Sequence, residues 1–199
     1  MTDKSLEFFF DFGSPNAYIA HARLPALLER TGARLIPRPM LLGGVFKATG
    51  NTSPAATPCT AKRRHMRTDM QRFIDVHGIE FHFNDAFPIN TIAVMRGAMA
   101  YLDTPAFPTY VEAVFRAFWA DNRDMADPAV IADVLHTAGL DAEDFRARIE
   151  STETKQALRE ATDAAVARGV FGAPSFFVGE AMFFGQDRLD FVERALEAR

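Results

Sequence analysis

Strand-type patterning is confined to the two ends of this 199-residue chain. Between those ends lie roughly 110 to 125 residues that read as helix and loop, within the usual size of a domain. At the start, Leu6-Glu7-Phe8-Phe9-Phe10-Asp11-Phe12 is short, aromatic and almost continuously apolar, the pattern of a buried strand. Gly13-Ser14-Pro15 interrupts it. A helix follows from Pro15 to about Arg30, with Ser14 as N-cap, Pro15 in the first turn and Gly32 as the stop. Arg34-Leu35-Ile36-Pro37-Arg38 returns to strand, and its prolines suit an edge or a strand end. This β-α-β opening implies a right-handed crossover. At the far end, Gly172-Ala173-Pro174-Ser175-Phe176-Phe177-Val178-Gly179 reads as a strand opened by proline. Glu180 to Phe184 makes a second strand after a tight turn, and Gly185-Gln186-Asp187 leads into an amphipathic helix ending at Arg199.

The middle reads as loop from Leu41 to Pro58, rich in Gly, Pro, Thr and Asn, with one short helical turn. Helices are expected at Thr60 to His77, Thr91 to Leu102, Phe107 to Asp121, Pro128 to Ala138, Ala142 to Glu150 and Ser151 to Arg168. The first of these shows Met66, Met70, Phe73 and Ile74 at helical spacing.

Composition narrows the function. A formal charge of −4 opposes nucleic-acid binding, which needs a basic face to meet phosphate. No apolar run reaches the length of a membrane span, and Met1 to Asp11 lacks the layout of a secretory leader, so a cytoplasmic protein is expected. A single cysteine, Cys59, excludes a C-x-x-C pair, and it reads as an incidental thiol. The five scattered histidines have no metal-ligand spacing, and no metal is expected. Nineteen Phe against one Trp and three Tyr supply apolar walls with few polar handles, which suits a core or a pocket for a flat organic molecule.

A β-α-β half and a β-β-α half together make a thioredoxin-like α/β fold, and a large all-helical insertion between them gives its DsbA-like variant. The expected division is residues 1–42 with 168–199 for the thioredoxin-like unit and 43–167 for the insertion. In redox members of such folds the first strand–helix turn carries two cysteines. Here it carries Ser14-Pro15-Asn16-Ala17, which removes disulfide exchange. The helix N-terminus still offers unpaired amides and a partial positive charge, where a hydroxyl can donate to a thiolate brought by a ligand. An ordinary N-cap explains Ser14 equally well. A cis peptide before Pro174 would leave the Ala173 backbone free to pair with an extended, peptide-like ligand.

Five stretches taken in order resemble the 2-hydroxychromene-2-carboxylate isomerases and the kappa-class glutathione transferases. They are Phe10 to Tyr18, Leu42 to Asn51, Phe87-Pro88-Ile89-Asn90, Gly169 to Val178, and Gly185 to Leu189. The resemblance extends over nearly the whole chain. It implies a glutathione cofactor bound by Ser14 at its sulfur, by Ala173 and Pro174 at its cysteinyl backbone, and by Asp187 at its γ-glutamyl ammonium. Asn51 and Lys62 would face it from the insertion. It further implies a small aromatic carboxylate as substrate, isomerised by reversible addition of the glutathione thiolate. Phe46, Lys47, Phe87 and Asn90 would meet that substrate, with Phe115 and Trp119 as further walls. Each has a plainer reading: the rings as core, Asn90 and Asp187 as helix caps, Lys62 as part of a solvated basic face. Relatives often carry an aromatic residue at the place of His65. A homodimer is implied by the same resemblance. Two other readings stand beside the isomerase: a kappa-like transferase that releases a glutathione conjugate, and a non-catalytic thioredoxin-like binding module.

Overall fold

The computed structural model describes residues 4–198. Met1 to Asp3, part of the stretch searched for a secretory leader, and Arg199, the end of the last expected helix, lie outside the described residues. The chain opens with β1 (Ser5–Phe10), α1 (Pro15–Thr31) and β2 (Arg34–Pro39), and closes with β3 (Ser175–Val178), β4 (Ala181–Phe184) and α9 (Leu189–Glu197). Between them run α2 (Leu42–Thr49), α3 (Thr60–His77), α4 (Ile92–Tyr101), α5 (Phe107–Trp119), α6 (Pro128–Thr137), α7 (Ala142–Glu150) and α8 (Thr152–Ala167). The expected thioredoxin-like α/β fold with a large helical insertion is therefore observed.

The four strands form one sheet in the order β2-β1-β3-β4. β1 runs parallel to β2, with Leu6 opposite Leu35, and antiparallel to β3, with Phe8 opposite Phe176. The aromatic run of β1 thus lies in the middle of the sheet. Pro37 and Pro39, which have no N–H to donate, lie on edge strand β2.

Alternation along β1 divides its rings between two cores. Phe8 and Phe10 stack at 5.1 Å, and Phe8 meets Phe176 at 5.4 Å, in the larger core shared with α1, α4, α5 and α9. Phe9 and Phe177 face the other way, into a smaller core with Met40, Val45, Ala165 and Val170. Arg168 covers that smaller core: its guanidinium lies 3.9 Å from the Phe177 ring centroid and pairs with Glu7 at 2.8 Å. No helix among the described residues is long and apolar enough to cross a membrane.

Two segments depart from the sequence expectation. The stretch from Leu41 to Pro58 holds a two-turn helix, α2, and a 3₁₀ turn at Pro54–Ala56, rather than loop with one turn. Its two consecutive glycines are poor helix formers. What starts it comes from outside: the N–H of Leu42 donates to the carboxylate of Asp11, 2.8 Å away. The last helix begins at Leu189, after a 3₁₀ turn over Gln186–Arg188, so Asp187 sits ahead of α9 and does not cap it.

Candidate functional site

The site grows from the turn after β1. The Ser14 N–H donates to the Asp11 carbonyl at 3.0 Å, closing a tight turn from β1 into α1. Ser14 is the N-cap, and its Oγ accepts from the Ala17 N–H at 3.2 Å. The same oxygen donates to the carbonyl of Ala173, 3.0 Å away. The hydroxyl thereby joins the first helix to the loop before β3, and it is only 5% exposed.

That loop is held on both sides. The Ala173–Pro174 peptide is cis, as the motif suggested. The Pro174 carbonyl accepts from the Gly185 N–H at 3.0 Å, which brings the Gln186–Arg188 turn and Asp187 alongside. Upstream, the Phe171 carbonyl accepts from Asn51 Nδ2 at 3.0 Å, tying in the end of α2. These hydrogen bonds tie Ser14, Asn51 and Gly185 to the loop from Phe171 to Pro174, with Asp187 two residues beyond Gly185. No bond among the described residues reaches the Ala173 N–H. A Cβ at Gly172 would meet the Phe184 ring at 2.7 Å, so that ring would have to shift to admit one.

The remaining expected residues are placed less tightly. Lys62 is exposed in the first turn of α3 and has no ion pair among the described residues. Lys47 is exposed on α2 beside half-buried Phe46. Asn90 is exposed and accepts from the Ile92 N–H at 2.9 Å, so its oxygen starts α4 while its amide NH₂ is free among the described residues. Asp187 is ion-paired with Arg188 at 2.8 Å. Phe87 is half-buried, its ring 5.6 Å from Trp119, and it precedes a second cis proline, Pro88, that the sequence did not signal.

Two expected substrate walls are core instead. Phe115 and Trp119 are fully buried. Phe115 packs on Phe12 at 4.7 Å, and Trp119 Nε1 donates to the Phe12 carbonyl at 2.7 Å. They lie one helical turn apart on α5, whose face of Tyr110, Val111, Val114 and Phe118 is buried with them. Both therefore pack as core against Phe12, two residues before Ser14.

Sequence reasoning passed over Asp11. It is 1% exposed, and its carboxylate accepts from the N–H of Gly13 at 2.8 Å, the N–H of Leu42 at 2.8 Å and the hydroxyl of Thr91 at 3.2 Å. Burial pushes its pKa above the usual carboxylate range, against those three hydrogen bonds. A carboxylate inside an apolar run was the available signal. Two surface depressions lie elsewhere: one at His136 to Ala142, the other between α1, the end of α3 and α9, where Arg30 pairs with Glu193. Among the described residues, no group of His, Cys, Asp or Glu is arranged to hold a metal.

Comparison with known proteins gives a consistent placement. Residues 5–197 match the DSBA-like thioredoxin domain. The chain is 31% identical over 193 residues to 2-hydroxychromene-2-carboxylate isomerase of Sphingobium xenophagum, covering 97% of this chain and 98% of that one. It is 28% identical over 211 residues to glutathione S-transferase kappa 1 of Homo sapiens, with coverage of 97% and 91%. A solved structure of a 2-hydroxychromene-2-carboxylate isomerase superposes with a TM-score of 0.87 at 29% identity, over 98% of this chain and 95% of that one. The match runs almost end to end, through both halves of the fold and the insertion alike, and the chain belongs to the DSBA-like thioredoxin domain family.

Proposed function

We propose that this chain is a glutathione-dependent isomerase of 2-hydroxychromene-2-carboxylate or of a similar intermediate of aromatic degradation. The observation that carries the reading is the Ser14 hydroxyl at the amino end of α1, 3.0 Å from the carbonyl of Ala173. Its support is the whole-length likeness to isomerases of that name, and to kappa transferases whose name includes glutathione.

The residues fit a peptide thiol. Ala173 offers an N–H with no partner among the described residues and a carbonyl with a second lone pair. Asp187 would take the γ-glutamyl ammonium, and Asn51 and Lys62 would face the ligand from the insertion. Glutathione, when bound, supplies a nucleophilic thiolate that adds to the substrate reversibly. Keeping a thiol of ordinary pKa about 8.5 ionised near neutrality takes a depression of about two units. That corresponds to roughly 2.7 kcal/mol. A helix N-terminus contributes up to about 2 kcal/mol in partly buried geometry. A hydrogen bond to a charged group adds about 1.5–3 kcal/mol. Ser14 can therefore act as an orienting donor with no separate base, its single hydroxyl hydrogen turning from the Ala173 carbonyl to the sulfur when glutathione binds. Lys47, Asn90, Phe46 and Phe87 would hold the substrate carboxylate and ring.

In this reading residues 1–42 with 168–199 form the thioredoxin-like unit that holds most of the cofactor, and the helical insertion, residues 43–167, adds Asn51 and Lys62 to the cofactor and faces the substrate. A cytoplasmic setting and a homodimer go with it; sedimentation of the purified chain checks the dimer. The kappa relatives favour one alternative, conjugation of glutathione to electrophiles at the same cofactor site. Incubation with 2-hydroxychromene-2-carboxylate, with and without glutathione, separates the two. Isomerisation gives an absorbance change that needs glutathione and leaves its total unchanged. Stoichiometric loss of glutathione supports the transferase, and no glutathione dependence removes both.

A further inference from the structure

Asp11 is a buried acid without a counter-ion. Its three partners are neutral donors, and no Lys, Arg or His pairs with it among the described residues. Burying a lone carboxylate opposes folding, so packing does not explain the residue.

The three donors belong to three segments. Gly13 lies in the turn that presents Ser14. Leu42 is the first residue of α2, a helix with no side-chain cap of its own. Thr91 stands at the start of α4 and does not cap it with its hydroxyl, which goes to Asp11 instead. The Asp11 carbonyl also accepts the Ser14 N–H. α2 carries Phe46 and Lys47, and Asn90 adjoins Thr91. One carboxylate therefore fastens the turn beneath the proposed thiol site to both segments that bear the proposed substrate-side residues.

We infer that Asp11 is a positioning residue: it holds the Ser14 turn in register with α2 and the start of α4, fixing the thiol relative to the bound substrate. The inference rests on the glutathione-dependent reading and deepens it. A buried carboxylate is suited to this role because it accepts several hydrogen bonds at once and donates none. An amide of the same shape must turn its NH₂ toward a donor and release one of the three. Displacement of reacting groups by about 1 Å can cost on the order of a hundredfold in rate.

Two substitutions test this. Asp11→Asn keeps the volume and breaks the clasp. The expected result is a fall in kcat of about tenfold or more, a raised thiol pKa of bound glutathione, and faster amide exchange at Gly13 or Leu42, whose N–H groups the carboxylate accepts. Thr91→Val removes only the arm to α4. It should raise the KM for the chromene substrate several-fold and speed exchange at Ile92, while leaving glutathione affinity and the thiol pKa at wild-type values. Should Asp11→Asn not fold, the Thr91→Val split decides alone. Unchanged exchange at all three amides in folded variants overturns the clasp. Equal losses of glutathione affinity and substrate KM in Thr91→Val overturn the division of roles. A wild-type chain with no glutathione-dependent turnover counts against the functional reading, and the exchange data still judge the clasp by themselves.

Discussion

Ser14 serves the fold and the proposed chemistry through the same oxygen. As N-cap it satisfies the Ala17 N–H, and across the chain it bonds Ala173. Ser14→Ala removes a cap of about 1 kcal/mol and a neutral hydrogen bond of about 0.5–1.5 kcal/mol. The variant should fold with a melting temperature lowered by several degrees, while turnover drops far more and the thiol pKa of bound glutathione rises. A thiol pKa that stays at its wild-type value would remove Ser14 from the activation argument. Asp11 makes a second prediction, with the sign set by burial. Its pKa is raised in the folded state, so the folded protein holds the proton more tightly than the unfolded chain. Its contribution to stability is then fully present below the unfolded carboxylate pKa and is lost as pH rises through the folded one. Denaturation of wild type and Asp11→Asn across that window should show the balance moving toward the Asn variant as pH increases. A constant difference would mean Asp11 does not titrate abnormally. At this scale the sequence was an uneven guide. Ser14 and Pro174 were legible because turn chemistry is local. Asp11 takes its partners from 31 and 80 residues downstream, a relation that no local pattern contains. Phe115 and Trp119 stood open between substrate wall and core, because ring type does not reveal which way a helix faces, and they are core.

Among the elements, three insertion helices, α6, α7 and α8, follow their apolar spacing and their Asp or Ser caps closely. Asp127, Asp141 and Ser151 each accept backbone N–H bonds at the starts of α6, α7 and α8. By contrast, α2 is seated by Asp11 and by Thr162, whose Oγ1 accepts the Leu41 N–H at 2.9 Å. A glycine-rich segment capped by distant side chains reads as loop until its neighbours are known. The packing of α4 makes a prediction of its own. A Cβ at Gly97 would collide with the Tyr110 hydroxyl and the Phe145 ring. That hydroxyl donates to the Val94 carbonyl at 2.7 Å, so the collision also disturbs the α4–α5 contact. Gly97→Ala should therefore destabilise by about 1–3 kcal/mol despite its better helix propensity. Urea unfolding measures it, and a neutral or stabilising result would mean that α4 can move away at little cost.

For the whole molecule, the strand–helix order legible at the two termini assembles into one sheet with β1 and β3 at its centre. The sheet then brings the two ends of the sequence together at Ser14 and Ala173. The fold alone does not prescribe chemistry. The reading as an isomerase depends on a thiol supplied by the tripeptide and lying where those two residues meet. A crystal structure of the chain with glutathione tests this most directly. The account predicts a sulfur within hydrogen-bond reach of Ser14 Oγ and a cysteinyl backbone paired with Ala173, its γ-glutamyl end at Asp187. A structure grown in excess glutathione, with the Ser14–Ala173 bond intact and the Ala173 N–H facing solvent, would contradict it.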